Sequence, residues 1–481
     1  MRREELDTFT DVTYQEWEKM PDKANSIQYI ISRYKSSHDF TRGLEANSYF
    51  DSDNPAIMGK AILRSDVLKT SNPETGEVKR VLSNKEIPGY RLTSNFLKLF
   101  VIQQNQFLLG NGVTCKDAET KKALGPRFDT GLQELGERAL LHGVSYGYWN
   151  MNHLEVIHAV KDQLSGCVTL LDDMSGEPRV AIQFWQLDVD KPMGVRLFEE
   201  DGVTIFRYVD GKMEIVSEKR PYKLQVTKDI SGERITGGEN YSKLPVVPLY
   251  ANPEKKSELT LAIKSKIDMY DKIFSDFGDN LERANDVYWV LNNFGGGTDQ
   301  VLEMLDTINK IKTIINQSDG TGGTSQAHLE TVQVPYEARK VALELLSRNL
   351  YNDFMAMDMH ELTGTTLTNV AIKTATANMH LKADRFEWQA FDFVQRVLEL
   401  LGMETEEISF KRRTISDTNE VVNNLYVMRN DLDRRTALEI NPYIDNDRIE
   451  TIMKNREQEE ATEVQAVEPN KPRVNYKVEE N

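Results

Sequence analysis

A chain of 481 residues, 28% charged and 39% hydrophobic, is long enough for about two to four domains with sizeable cores. Its formal net charge of −17 argues against a protein that grips nucleic acid over a broad surface, because phosphate binding needs clustered Lys and Arg. No run approaches the roughly 18 apolar residues of a membrane span, and Met1-Arg2-Arg3-Glu4-Glu5 lacks a signal-peptide core, so the expected setting is a cytoplasm-like compartment with no membrane contact.

Residues 1–48 are polar with short apolar clusters; Ile27, Ile30, Ile31 and Tyr34 share one helix face in a region expected to be peripheral. Asn72-Pro73-Glu74-Thr75-Gly76-Glu77 has the composition of a hairpin tip. Phe96, Leu99, Phe100, Gln103 and Phe107 then occupy adjoining positions of an amphipathic helix that Gly110 stops. A second helix, Leu132 to His142, is stopped by Gly143 and followed by the strand-like run Val144 to Trp149.

Strands continue through 168–171, 180–185 and 203–208, and the prolines of Leu244-Pro245-Val246-Val247-Pro248 place the next strand at an edge. His142 has no nearby nucleophile and oriented carboxylate, and His153 and His158 are five apart, a spacing that does not put both on one helical face for a metal. Cys115 and Cys167 cannot make a zinc site and are expected to be buried or half-buried.

From Ser257 to about Ala284 a stripe of Leu259, Ile263, Ile267, Tyr270, Phe274, Phe277 and Leu281 predicts a long amphipathic helix. Strands follow at 287–291, 311–315 and 328–334, with a short helix at 300–309 and glycine turns between them. Pro335 opens another helix carried by Ala342, Leu346, Leu350, Phe354 and Met357. The run 360–366 breaks it, and Thr368 or Asn369 caps a third helix continuing to Leu401, about 48 Å long at about 1.5 Å per residue. Phe386, Ala390, Val394, Val397 and Leu401 form its buried face. After Gly402 come a strand at 408–411 and two short helices within 431–450; Asp445 or Asp447 caps the second, and Ile449, Ile452 and Met453 give its buried side. Beyond about 457 the chain is acidic and expected to be disordered.

No nucleotide-binding or catalytic motif stands out. Gly295-Gly296-Gly297-Thr298 lacks the phosphate-binding lysine of a P-loop, and Asp172-Asp173 and Glu199-Glu200 are what solvated loops usually contain. The chain is therefore expected not to be an enzyme and to need no cofactor or metal.

The order of these elements, with Tyr90 to Gly110, the His142-Gly143 turn, the proline-bracketed strand and the run 431–450, resembles the tailed-phage portal proteins of the SPP1-like branch. The resemblance implies an α+β, mainly helical fold with wing, stem, clip and crown, assembled as a ring around a channel. The implied divisions are a wing at 1–256, a stem helix at 257–285, a clip at 286–334, a returning helix at 335–357, a tunnel loop at 358–369, a long wing helix at 370–404, a crown at 405–456 and a tail at 457–481.

It also implies partners: a homo-oligomer, expected to be a dodecamer, with double-stranded DNA in the channel, the terminase large subunit, head-tail connector proteins, and the major capsid protein and scaffold. The setting is a virion vertex assembled in the host cytoplasm. Channel residues would be Met359, His360, Glu361, Leu362, Thr363, Gly364, Thr365, Thr366, Leu367 and Thr368, whose small polar side chains hold phosphate weakly. Lys373, aligned with a lysine that many portals carry after this loop, is either part of a basic ring facing DNA or a solvated helix lysine. Docking of partners on the clip would fall to Trp289, Asn292, Asn293, Gly295, Gly296, Gly297, Asp319 and Gly320. The competing readings are another ring of the phage neck or tail and a nucleic-acid-processing enzyme.

Overall fold

The computed structural model describes residues 12–71, 78–229, 232–283, 287–291, 327–331, 336–358, 369–403, 407–412, 425–428, 432–441, 444, 449, 451–456 and 458. By contact the chain divides into one unit of residues 1–357 with 378–413 and a second of 358–377 with 414–481.

The N-terminal segment corrects the sequence expectation. Helices α1 (Tyr14–Glu18), α2 (Lys23–Lys35) and α3 (His38–Phe50) are not peripheral but supply Trp17, Tyr34, Phe40 and Tyr49 to the main core of the first unit. Each opens on a side-chain cap, from Thr13, Asp22 and Ser37, which satisfies backbone donors that a helix start leaves free. Tyr34 meets Phe40 edge-on at 5.1 Å and donates to the Ala159 carbonyl at 3.0 Å. The face of Ile27, Ile30, Ile31 and Tyr34 was visible in the sequence; the polar background of the segment hid how deeply it is buried.

Strands β1 (Ala61–Ser71) and β2 (Val78–Pro88) pair antiparallel from Ala61↔Pro88 to Ser71↔Val78, so the expected hairpin exists, its tip lying outside the described residues. After the one-turn helix α4 (Pro55–Met58), helix α5 (Phe96–Leu109) ends at Gly110 as expected, but Leu99 points outward while Leu97, Phe100, Val101, Phe107, Leu108 and Leu109 are buried. Helix α6 (Ala118–Leu124) precedes α7 (Phe128–His142), which begins one turn earlier than the sequence suggested. It closes on Gly143 in the left-handed region, φ +87°, where a Cβ would fall 2.5 Å from the Lys255 carbonyl oxygen.

The next strand, β4 (Val144–Asn150), is buried along all but its last residue and lies between β14 (Val246–Tyr250) and β5 (His153–His158). Strand β14 is an edge, as its prolines require. The strands between, β6 (Val160–Asp162), β7 (Ser165–Leu171), β8 (Pro178–Trp185), β9 (Met193–Glu199), β10 (Gly202–Val209) and β11 (Lys212–Arg220), form a six-stranded antiparallel meander in chain order. Strands β12 (Lys223–Asp229) and β13 (Gly232–Glu239) make a separate hairpin.

Helix α8 (Leu261–Arg283) leads to β15 (Val287–Leu291), which pairs antiparallel with β16 (Ala327–Thr331). Helix α9 (Tyr336–Phe354) returns antiparallel to α8, since Lys266 pairs with Asp353 near one end and Arg339 donates to the Asp276 carbonyl at 3.1 Å toward the other. The long helix α10 (Asn369–Leu401) has 33 residues, about 50 Å at about 1.5 Å per residue. Phe386, Ala390, Phe393, Val394, Val397 and Leu398 are fully buried on it, each large side chain contributing about 1.5–3 kcal/mol. Gly147 of β4 makes room for this helix: a Cβ there would sit 2.6 Å from the Phe393 ring. Strand β17 (Ile408–Phe410) pairs with β3 (Val113–Cys115), giving the returning strand expected after Gly402.

In the second unit the described part includes the first turns of α10, helix α11 (Arg434–Ile440), capped by Asp433 through the Thr436 amide, and a buried Ile449. The expected capping residues Asp445 and Asp447 lie outside the described residues, as do 300–309 and 311–315.

Candidate functional site

Helix α8 carries two stripes rather than one. The apolar stripe is buried over its first half, at Leu259, just ahead of the helix, and at Ile263 and Ile267, while Phe274 and Leu281 farther along are exposed. A second stripe, Asp271, Ser275 and Asp279, is buried although polar. Its partner is the extended segment after β2. The Tyr90 amide donates to Asp279 Oδ1 at 2.8 Å, the Leu92 amide to Ser275 Oγ at 3.0 Å and the Ser94 amide to Asp271 Oδ1 at 2.9 Å.

The match is one of lengths. Four residues of helix advance about 6 Å and two residues of extended chain about 6.6 Å, so alternate amides meet every fourth side chain. These bonds are part-buried, and an amide left there without its acceptor would cost up to about 1–3 kcal/mol. The ladder also fixes the hairpin: Lys60, just before β1, reaches Asp279 at 2.5 Å and Asp276 at 2.8 Å, while Tyr90 follows β2. Asp279 thus holds both roots of β1–β2. Asn54 donates to Asp271 and Tyr49 to Asp268. Burial raises the Asp271 carboxyl above its ordinary range, against the hydrogen bonds from Ser94 and Asn54 that favour the charged form. Burial, and then the bond to Asp268, raise the Tyr49 hydroxyl.

Two further contacts set where α8 and α9 leave the core. Lys382 of α10 pairs with Glu258 at 2.7 Å, donates to the Phe354 carbonyl at 2.9 Å and lies over the Phe354 ring; burial lowers its pKa, opposed by Glu258. The Gln103 amide forms a reciprocal pair with the Met357 backbone, donating to its carbonyl and accepting from its N–H, both at 3.1 Å. Above this pair, Phe100 stacks on Phe354 at 4.7 Å and meets Tyr351 edge-on at 5.2 Å.

The residues singled out for the channel and for partner docking lie largely outside the described residues. Residues 359–368 lie outside the described residues, and Lys373 lies in the second turn of α10 with its side chain not described. Trp289 stands opposite Leu329 in the β15–β16 pair; Asn292, Asn293, Gly295, Gly296, Gly297, Asp319 and Gly320 lie outside the described residues. The ladder itself escaped sequence reading, although its spacing of four, Asp271, Ser275, Asp279, is visible once looked for.

The other candidates have structural roles. His142 is buried, bonds Asn47 Oδ1 through Nε2 at 2.8 Å, and is pushed down to about 3 by burial, so it is a neutral donor. Asp172 accepts from the Met174 and Ser175 amides of its own turn, and Glu199 and Glu200 pair with Lys219 and Arg179. Cys115 is half-buried and Cys167 buried, both free. Among the described residues no group of three or more His, Cys, Asp or Glu is placed to hold a metal, and no helix is long and apolar enough to cross a membrane.

Residues 31–463 match the sequence model of the phage portal protein family, SPP1 Gp6-like. The portal protein of Clostridium phage phiCD119 is 28% identical over 175 residues, 36% of this chain and 38% of that relative's length. The portal protein of Bacillus phage SPP1 is 23% identical over 376 residues, 72% of each chain. Among solved structures, a chain in the neck of the native GTA particle, computed with C12 symmetry, is 11% identical with a TM-score of 0.37, covering 72% of this chain and 88% of that one. With 31–463 matched in one continuous span, the chain belongs to the phage portal protein family, SPP1 Gp6-like.

Proposed function

We propose that this chain is one subunit of a ring, expected to have twelve copies, that forms the channel at a capsid vertex through which double-stranded DNA is packaged and later ejected. The observation that carries the reading is the order α8, β15–β16, α9, the segment 358–368 and α10, two antiparallel helices and a long strut, within a family match over 31–463. In this reading 1–256 is the wing, α8 and α9 the stem, 286–334 the clip, 358–369 the tunnel loop, 370–404 the long wing helix, 405–456 the crown and 457–481 the tail. The clip docks the terminase large subunit during packaging and the connector proteins afterwards; the major capsid protein and scaffold meet the rim. The ring is assembled in the host cytoplasm and resides in the virion.

The channel wall is acidic, in keeping with the chain's −17, so that a passing duplex is repelled rather than held. Lys373 adds one cation per copy near the root of the loop, and transient phosphate contact there is salt-sensitive. End-on electron microscopy of the purified assembly tests the ring: a closed annulus with an open bore is expected, and a compact monomer at all concentrations overturns the reading. Packaging and retention of DNA by rings carrying Lys373→Ala test the cation; both are expected to fall, and wild-type values for both would remove the lumen role.

A further inference from the structure

Two features stand at the two ends of β8: an exposed loop leading to β9 and a cleft where the strand begins. Leu187 and Val189 are 89% and 73% exposed, side by side on the loop. The loop is built rather than slack: Gln186 Nε2 donates to the Val189 carbonyl at 2.9 Å and the Lys191 carbonyl at 2.7 Å, the Val189 amide to Asp188 Oδ1 at 2.7 Å, and the Lys191 amide to the Asp188 carbonyl at 3.0 Å. Four hydrogen bonds thus hold two aliphatic side chains out into solvent, flanked by Asp188 and Asp190.

The cleft, about 240 Å³, lies where β8 begins, against edge strand β14 and the last turns of α10. Its floor is aliphatic, from Pro178, Leu244, Val246, Val247 and Leu400. It is smaller than the about 300–1,000 Å³ of small-molecule sites and of a size for one or two aliphatic side chains. Its rim carries three ion pairs, Arg179 with Glu200 at 2.5 Å, Lys243 with Glu399 at 2.8 Å and Arg396 with Glu177 at 3.2 Å. An ammonium or a guanidinium has N–H donors beyond those a single carboxylate takes, so each can accept a second acidic partner.

We infer that Leu187 and Val189 of one copy seat in the cleft of the next copy, with Asp188 and Asp190 meeting Lys243 and Arg179 of that copy. The occupant is a second copy because the loop and the cleft sit at opposite ends of the same eight-residue strand, about 26 Å apart at about 3.3 Å per residue, so neither can reach the other within one chain. Two unlike surfaces at opposite ends of one sheet make a head-to-tail contact, the kind that closes into a ring, whereas a two-fold contact needs one surface that matches itself. The inference rests on the ring reading proposed above and adds which surfaces join.

The test uses the full chain with Leu187→Asp, and separately a Leu187→Cys, Ser175→Cys pair, Ser175 being an exposed turn residue lining the cleft. Sedimentation is expected to show at least a tenfold loss of assembled rings for Leu187→Asp at an unchanged melting temperature. On non-reducing gels the cysteine pair is expected to give a ladder of covalent multimers, which neither single cysteine gives. The double charge swap Asp188→Lys, Lys243→Glu is expected to assemble better than either single change. If wild type forms rings and Leu187→Asp forms them equally well, or the cysteine pair yields no ladder in assembled rings, the contact is wrong while the ring stands. If wild type stays monomeric, the ring reading falls and takes this contact with it.

Discussion

The Ser94 amide donates to the buried carboxylate of Asp271 at 2.9 Å, and this bond is the innermost rung of a ladder that ties an extended segment to helix α8. Replacing Asp271 by Ala leaves the Ser94 amide without an acceptor and is expected to cost about 1–3 kcal/mol. Asp271→Asn keeps an acceptor for Ser94, and once the Asn54 amide turns over, the new NH₂ donates to the Asn54 oxygen in place of the bond that Asn54 now donates to Asp271. Asn is therefore expected to sit close to wild type in urea midpoint at neutral pH, and Ala well below both.

The same pair carries a pH signature. Burial raises the folded pKa of Asp271 above the unfolded value of about 3.9, so the folded state binds the proton more tightly. The stability this gives is fully present below about pH 3.9 and is lost as pH rises through the folded value. Urea unfolding of wild type and Asp271→Asn across this range should show wild type losing ground to the variant as pH rises; parallel curves would mean that Asp271 does not titrate differently in the two states.

Lys382 and Glu258 are both largely shielded from solvent, with side-chain exposures of 13% and 14%, so each depends on the other. Lys382→Met takes the cation from Glu258, leaving the Asn252 side-chain amide as a donor to it, and is expected to cost up to about 3–5 kcal/mol. Adding Glu258→Gln should recover most of that loss, giving a large coupling in a double-mutant cycle. Additive losses would mean that Lys382 acts through Phe354 alone.

Gln103 makes two bonds to the Met357 backbone, the last residue of the first unit before 358. With Gln103→Ala, hydrogen exchange at the Met357 amide is expected to accelerate by about tenfold or more while the global unfolding midpoint moves little, because the loss is local. Equal loosening throughout the core would contradict a local clamp.

Gly147→Ala places a methyl group 2.6 Å from the Phe393 ring, and overpacking of this kind costs about 1–3 kcal/mol. The companion change Phe393→Leu should rescue part of the lost melting temperature in the Gly147→Ala background while lowering it in wild type.

Periodicity made the helices legible: α8, α9 and α10 begin and end within a few residues of where the apolar spacing, Pro335 and Gly402 place them. Edge strand β14 was legible from its prolines, and the β1–β2 hairpin from its turn chemistry. The helix face of Ile27 to Tyr34 was legible too, but its place in the core was not, because that burial depends on aromatic partners such as Phe184, distant in sequence. The Asp271–Ser275–Asp279 ladder was hidden for another reason. Polar residues on a helix are read as solvated unless the acceptors' partners are known, and those are backbone amides, which every residue has.

Asp279 bonds one chain end of the β1–β2 ribbon through Lys60 and the other through Tyr90. Both legs of an eleven-rung ribbon therefore share a fulcrum one turn from the end of α8. A push along the ribbon is delivered first to that turn of helix, where Asp276 backs the Lys60 leg and Ser275 carries the next rung of the other, so the lever stays on its shaft when one carboxylate is neutralised.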